Sequence, residues 1–264
     1  MKVILVFVFC VILYQPTKAG WVITEESSDK FGNMTIQKTF IQNNYIRYET
    51  PTTIAIVDLN IGIITIIFSQ HKAYWSGTSD ELLQSTLSIY DNELEKMIVR
   101  LPKNDRNELD SIYQNIRTQM LDSSNDSISE MISVKKSNDI DTVYDYGTVK
   151  YDVFFDTLLI ESVWYTDDLV PFKELYLSDM IKFEHQVEQI PSKGSITQTH
   201  EYYELLKSGM ILKSVIYSPD SNNLQTIVTN IRNTNIVTDF FKPPSNYIKT
   251  SLYDALYMMT DKSD

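Results

Sequence analysis

Ile63-Ile64-Thr65-Ile66-Ile67-Phe68 is apolar at both odd and even positions, and Lys72-Ala73-Tyr74-Trp75-Ser76-Gly77-Thr78 follows it. Six β-branched and aromatic residues in a row predict a strand. A strand with one wet face alternates polar and apolar residues, so this one predicts cover on both faces. The pattern before it is also of strand type. Trp21-Val22-Ile23-Thr24 opens a first strand, and residues 34–42 form a second, with Met34, Ile36 and Phe40 at one parity. Asn43-Asn44 predicts a hairpin turn, because asparagine tolerates positive φ. Tyr45 to Glu49 returns, Pro51 ends that strand, and Ile54 to Leu59 is the next. Residues 21–77 therefore read as an antiparallel meander.

At Thr78 the period changes. Thr78-Ser79-Asp80-Glu81 is a capping box, with Thr78 as N-cap and Glu81 at N3. The helix it opens carries Leu83, Leu87, Tyr90, Leu94, Met97 and Leu101 on one stripe, and Pro102 stops it. Asn104 or Asp105 caps a second helix, with Leu109, Ile112, Tyr113, Ile116 and Met120 on one face. One-sided helices must pack on something, and a position across the sheet is expected. Ser123-Ser124-Asn125-Asp126-Ser127 is a polar surface loop.

Strands then resume. Residues 131–135 form one, and Val149, Tyr151, Val153 and Phe155 alternate along the next. Asp156-Thr157 turns the chain into a return strand. There Leu158, Ile160, Ser162 and Trp164 alternate with Leu159, Glu161, Val163 and Tyr165. Pro171 opens a third helix, with Phe172, Leu175, Tyr176, Phe183, Val187 and Ile190 as its stripe. Segments 196–204, 210–217 and 224–231 read as three last strands. Phe240-Phe241-Lys242-Pro243-Pro244 and Tyr247 form an extended apolar clamp.

The composition narrows the function classes. The chain has 264 residues, 43% of them hydrophobic, and seventeen are tyrosine. That is ample for a packed core. Lys2, the uncharged run Val3 to Tyr14, and Thr17-Lys18-Ala19 before Gly20 read as a secretory signal peptide over residues 1–19. The run is short for a membrane span. The single cysteine, Cys10, lies inside it after Phe9, so no lipid-attachment motif is present, and export to the periplasm or the extracellular space is expected. The mature chain then holds no cysteine for disulfides, thiol catalysis or Cys-zinc sites. Losing Lys2 and Lys18 moves the formal charge from −12 to −14. Such acidity disfavours nucleic acid and fits a monomer kept apart by repulsion.

No cofactor motif is present. His71, His185 and His200 are scattered, without metal-ligand spacing, and read as surface or rim residues. Glu25-Glu26, Asp141, Asp145, Asp152, Asp156 and Asp167-Asp168 read as solvated groups at strand ends and turns. A glycosidase needs two facing carboxylates in a cleft, and there is no Gly-x-Ser-x-Gly elbow for a serine hydrolase.

Several stretches carry a family resemblance. They are Asn44-Tyr45-Ile46-Arg47-Tyr48-Glu49, Ile56-Val57-Asp58-Leu59, Lys72 to Thr78, Tyr146-Gly147, Glu161-Ser162-Val163-Trp164-Tyr165-Thr166, Gly209-Met210 and Phe241-Lys242-Pro243-Pro244-Ser245-Asn246-Tyr247. With the element order, the chain resembles exported domains that share the fold of the lipoprotein localisation factors, the LolA/LolB-like superfamily. The resemblance implies an α+β fold: a strongly curved antiparallel sheet, an incomplete β-barrel, with about three helices plugging or covering its concave side. It implies one domain over residues 20–247, with a helical insert at 78–121 and a tail at 248–264.

In such carriers the concave side receives acyl chains, and an arginine near the cavity holds the helical lid. Arg47 is the position offered for that lid contact. The doubly apolar strands suggest an apolar ligand cavity, whose wall is expected from Tyr48, Ile66, Trp75, Phe154 and Trp164. The expected role is reversible binding of a lipid or other hydrophobic small molecule, as carrier or sensor, without catalysis. The alternatives are a cell-envelope protein–protein interaction module with a filled core and, last, a hydrolase.

Overall fold

The protein is described by a computed structural model covering residues 19–29, 31–121, 132–187, 197, 199–218 and 223–260. The leader, the 123–127 loop and Pro191 lie outside the described residues. Six strands run as a meander: β1 (Gly20–Ser28), β2 (Met34–Gln42), β3 (Tyr45–Glu49), β4 (Ile54–Asp58), β5 (Ile63–Phe68) and β6 (Ala73–Gly77). A second meander follows: β7 (Ile132–Val143), β8 (Tyr146–Phe155), β9 (Leu158–Thr166), β10 (Met210–Ile216) and β11 (Leu224–Thr234). The short β12 (Ile248–Lys249) pairs in parallel with β6.

All twelve strands form one curved, unclosed sheet, ordered β12-β6-β5-β4-β3-β2-β1-β11-β10-β9-β8-β7. The two meanders meet at the centre, where β1 lies antiparallel to β11 with Ile23 opposite Ile231. Asn43 and Asn44 do take positive φ, at 51° and 64°, as their short polar side chains allow. Asn44 is buried there. Its N–H donates to the Glu174 carbonyl (3.0 Å) and its Oδ1 accepts from the Tyr176 N–H (2.6 Å).

Five helices occur among the described residues, not about three: α1 (Ser79–Arg100), α2 (Lys103–Leu121), α3 (Leu177–Val187), α4 (His200–Ser208) and α5 (Leu252–Thr260). The capping box at α1 forms in both directions, with Thr78 Oγ1 accepting from the Glu81 N–H (3.2 Å) and the Thr78 N–H donating to Glu81 Oε2 (2.7 Å). Replacing Thr78 by alanine is expected to cost about 1 kcal/mol, read by chemical denaturation. Helix α2 folds back on α1, where Asp91 accepts hydrogen bonds from Tyr113 and Arg117. Tyr113 is buried, whereas Tyr90, Met97 and Ile112 of the expected stripes stay exposed.

Several segments differ from the sequence reading: the strand expected at 131–135 runs to Val143, Thr238–Phe241 is a 3-10 turn and not extended, and two helical segments depart further. Residues 200–208 are helical, not part of a strand over 196–204. Thr199 caps them through the Tyr202 N–H (3.2 Å), and Tyr203 and Leu206 are buried at i, i+3 spacing. The tyrosine-rich composition suited a strand, and the cap with its spacing wins. The third helix starts at Leu177, since Pro171–Glu174 is a separate 3-10 turn. No helix among the described residues is long and apolar enough to cross a membrane.

The core has two sides. One face of the first meander carries Ile23, Ile41, Ile46 and Val57, packed against Leu169, Leu175, Met180 and Leu206. Ile64, Phe68 and Trp75 continue it under Leu82 and Ile89 of α1 and Leu252 and Ala255 of α5. The opposite face carries Val22, Phe40, Ile56 and Ile67, covered by Ile236, Phe240, Phe241 and Tyr247. Residues 236–247 are therefore a strap across the back of the sheet. The doubly apolar character of β5 comes from helices on one side and this strap on the other.

Candidate functional site

Each expected wall residue has a definite place. Trp75 is 6% exposed, and with the half-buried Ile66 it packs beneath α1 and α5. Tyr48 is half-buried against the main cluster around Ile46. Phe154 lies on β8 beneath the Lys135 ammonium, 4.7 Å from its ring centroid. Trp164 sits on β9 between Lys150 of β8 and Lys213 of β10. Both ammonium groups lie over its ring, at 5.7 and 4.3 Å. The five residues are spread over both halves of the sheet. Tyr48, Ile66 and Trp75 share one face, and none of the five lines the cavity described below.

Arg47 lies on the strap side. Its Nη1 donates to the Phe240 carbonyl (2.7 Å), its Nε to Glu49 Oε1 (2.7 Å), and its guanidinium stacks on the Phe240 ring at 4.1 Å. It clamps the 238–241 turn, on the face away from α1 and α3.

A cavity of ≈ 200 Å³ opens in the other half of the sheet, over β9, β10, β11 and the far end of β1. Phe172 of the Pro171 turn and Tyr202 and Leu206 of α4 cover it; Val163, Leu212, Ser214 and Thr226 form its floor. Two carboxylates line it, Glu25 and Glu161. Unbroken alternation along β1 puts Glu25 on the same face as Ile23, and the strands beside it are irregular. β11 carries an extra residue, Thr229, opposite the Thr24–Glu25 step, and β10 carries an extra residue, Leu212, opposite the Trp164–Tyr165 step of β9. Such bulges bend the strand that carries them. Glu161 is only 5% exposed and accepts a hydrogen bond from Ser214 Oγ at 2.7 Å. Burial pushes the Glu25 carboxyl above its ordinary value, and a hydrogen bond with Gln37 offsets part of that.

Glu25 was expected at a solvated strand end because β1 was drawn to Thr24. The strand continues to Ser28 and carries Glu25 inward. Glu161 left a signal in the sequence: it is the one charge in the row Leu159, Glu161, Val163, Tyr165. Asp152 is also not at a strand end. It lies within β8, accepts from Ser162 Oγ (2.5 Å) and pairs with Lys150 (3.0 Å).

A carboxyl with a raised folded-state pKa favours folding below its unfolded pKa, and that contribution is lost as pH rises through the folded value. Glu25→Gln is therefore expected to be more stable than the parent protein at pH 7. The difference should vanish below about pH 4, where carboxyls of ordinary pKa protonate. Thermal melts of both proteins across pH check this.

His71 is half-buried in the 69–71 turn, and His200 is exposed at the start of α4 near Glu204 (3.5 Å). The side chain of His185 lies outside the described residues. Among the described residues, no group of three or more His, Cys, Asp or Glu could hold a metal ion.

No family model matches the chain, and no curated protein matches it. Among solved structures it is similar to PNGF-II in a C2 crystal form, with 10% identity and a TM-score of 0.40, covering 92% of this chain and 33% of that one. PNGF-II in a P21 form gives 10% identity, a TM-score of 0.38, and coverage of 91% and 33%. The chain thus spans about a third of the length of PNGF-II. At this distance no residue role or activity transfers.

Proposed function

We propose that this protein is an exported binding protein, a carrier or sensor, that reversibly buries one compact ligand in the cavity between β9–β11 and α4. The helices would occupy the concave side of the sheet, and displacement of α4 with the Pro171 turn would admit the ligand. The observation that carries the reading is the chamber itself, which combines apolar residues with two carboxylates, a lysine and the hydroxyl groups of Thr197, Tyr202, Ser214 and Thr226. Small-molecule sites are mostly apolar with a few convergent polar groups. The chamber is smaller than the roughly 300 Å³ at which pockets for drug-sized molecules begin. The reading therefore keeps the carrier class implied by the LolA/LolB-like resemblance but replaces a long acyl chain with a compact cargo.

The rival role, an envelope interaction module with a filled core, draws support from the tight packing of Trp75 beneath α1 and α5. One experiment separates the two. Small amphipathic fragments are titrated while methyl resonances are followed by NMR. Shifts centred on Val163, Leu206 and Leu212, and abolished by Thr226→Phe, support ligand binding here. Shifts centred on Ile66 and its neighbours under α1, or no shifts at millimolar fragment, overturn it.

A further inference from the structure

We propose that Asn33, at the turn between β1 and β2, accepts an N-linked glycan during export. The site is separate from the cavity and shares only the export step with the role proposed above. Phe31-Gly32-Asn33-Met34-Thr35 contains an Asn-x-Thr sequon, with methionine and not proline in the middle. In an exported chain such a sequon is an acceptor on a surface loop. The motif is short and common, and the structure adds three observations to it.

The first is exposure. Asn33, Met34 and Thr35 are all exposed, and β2 becomes buried only from Thr39 onward. A bulky glycan there displaces no core residue. The second is the shape of the turn. Asp29 Oδ1 accepts from the N–H groups of Phe31 (2.9 Å) and Asn33 (3.0 Å). Gly32 takes a φ of 80°, which glycine adopts without a Cβ clash. Asn33 Nδ2 donates one hydrogen to Asp29 Oδ2 at 2.8 Å. A side-chain amide has two such hydrogens, so the one that glycosylation spares can keep this bond.

The third is the apolar surface around the acceptor. Phe31, Met34 and Ile36 are 73%, 62% and 45% exposed. Exposed apolar residues that cluster mark a surface meant to be covered. Phe31 stands two residues before the acceptor, and the electron-rich face of its ring attracts the C–H face of a sugar. The sugar's hydroxyl groups would then turn an apolar hairpin end into a hydrated one.

The donor would be an oligosaccharide carried on a lipid diphosphate. Asn33 Nδ2 attacks the anomeric carbon, and the new C–N bond forms as the C–O bond to the diphosphate breaks. The diphosphate leaves with the electron pair, and the amide proton passes to a base of the transferase.

The test is mass spectrometry of the full chain, leader included, made in and recovered from the organism that encodes it. Trypsin releases residues 31–38, which hold Asn33 and no other asparagine. That peptide is expected to carry a glycan in most copies. Thr35→Val keeps the branched shape on β2 but removes the hydroxyl, and should abolish the modification. Asn33→Gln should do the same. Both variants should melt within a few degrees of the parent chain made without glycan, which keeps loss of the glycan distinct from failure to fold. An unmodified 31–38 peptide in the recovered protein, or a glycan that survives Thr35→Val, overturns the proposal. Fragment binding in the cavity is expected to be equal with and without the glycan, so the two proposals fail separately.

Discussion

Replacing Trp75 by alanine is expected to lower the stability of the protein by about 3–5 kcal/mol, the range for deleting a buried large aromatic side chain. Trp75 is 6% exposed and is surrounded by Ile64, Phe68, Leu252 and Ala255. Helices α1 and α5 both rest on it, so little of the void can collapse without moving one of them. Equilibrium denaturation gives the number directly. The result also separates two pictures of this part of the sheet. A tryptophan on the wall of an open cavity would lose little on truncation, because its inner side packs on nothing. A loss under about 1 kcal/mol would therefore return the acyl-chain cavity to this location.

The second large effect is expected at Arg47. Its guanidinium joins Glu49, the Phe240 carbonyl and the Phe240 ring, and the residue is 9% exposed. Breaking such a partly buried pair from one side costs about 3 kcal/mol, since the carboxylate left behind keeps its desolvation cost. Arg47→Lys should recover only part of this, because lysine lacks the planar fork that binds two oxygens and stacks. The local consequence is more informative than the total. Amide exchange should accelerate in the strap, beginning at Ile236, whose N–H donates to Gln42 Oε1 at 2.8 Å. If the acceleration fell instead on α1 or α3, Arg47 would be holding a helical lid, as the LolA/LolB-like resemblance implies.

Local pattern determined much of the first meander. β2, β3 and β5 have the limits that alternation and turn residues indicate, because a period of two and a pair of asparagines are properties of neighbouring residues. The capping box works the same way, as Thr78 and Glu81 need only each other. The 196–204 segment shows the limit of composition. Its aromatic residues suit a strand, and only the Thr199 cap and the spacing of Tyr203 and Leu206 settle it as helix. Residues 248–264 read as a short amphipathic helix or a mobile tail; the helix forms as α5, with Leu252 and Ala255 buried against Trp75, and β12 extends the sheet beside β6.

The candidate site was less legible. Glu161 stands out as a charge in an apolar row, but Glu25 looks like an ordinary surface residue until β1 is carried past Thr24. Nothing near Glu25 in the sequence marks that extension, because β1 is lengthened by pairing with β11, two hundred residues away.

The sequence by itself determined the strands of the first meander, the start of α1 and that β5 is covered twice. Only the tertiary structure decided what covers it: helices on one face, and the 236–247 strap on the other. It also decided that Trp75 is packed beneath α1 and α5 and that the cavity of the candidate site lies over β9–β11 and the end of β1. The physical reason is one of range. Hydrophobic periodicity records that a side chain is buried, while the burying partner is chosen by contacts between β1 and β11, or Arg47 and Phe240, that no local period encodes.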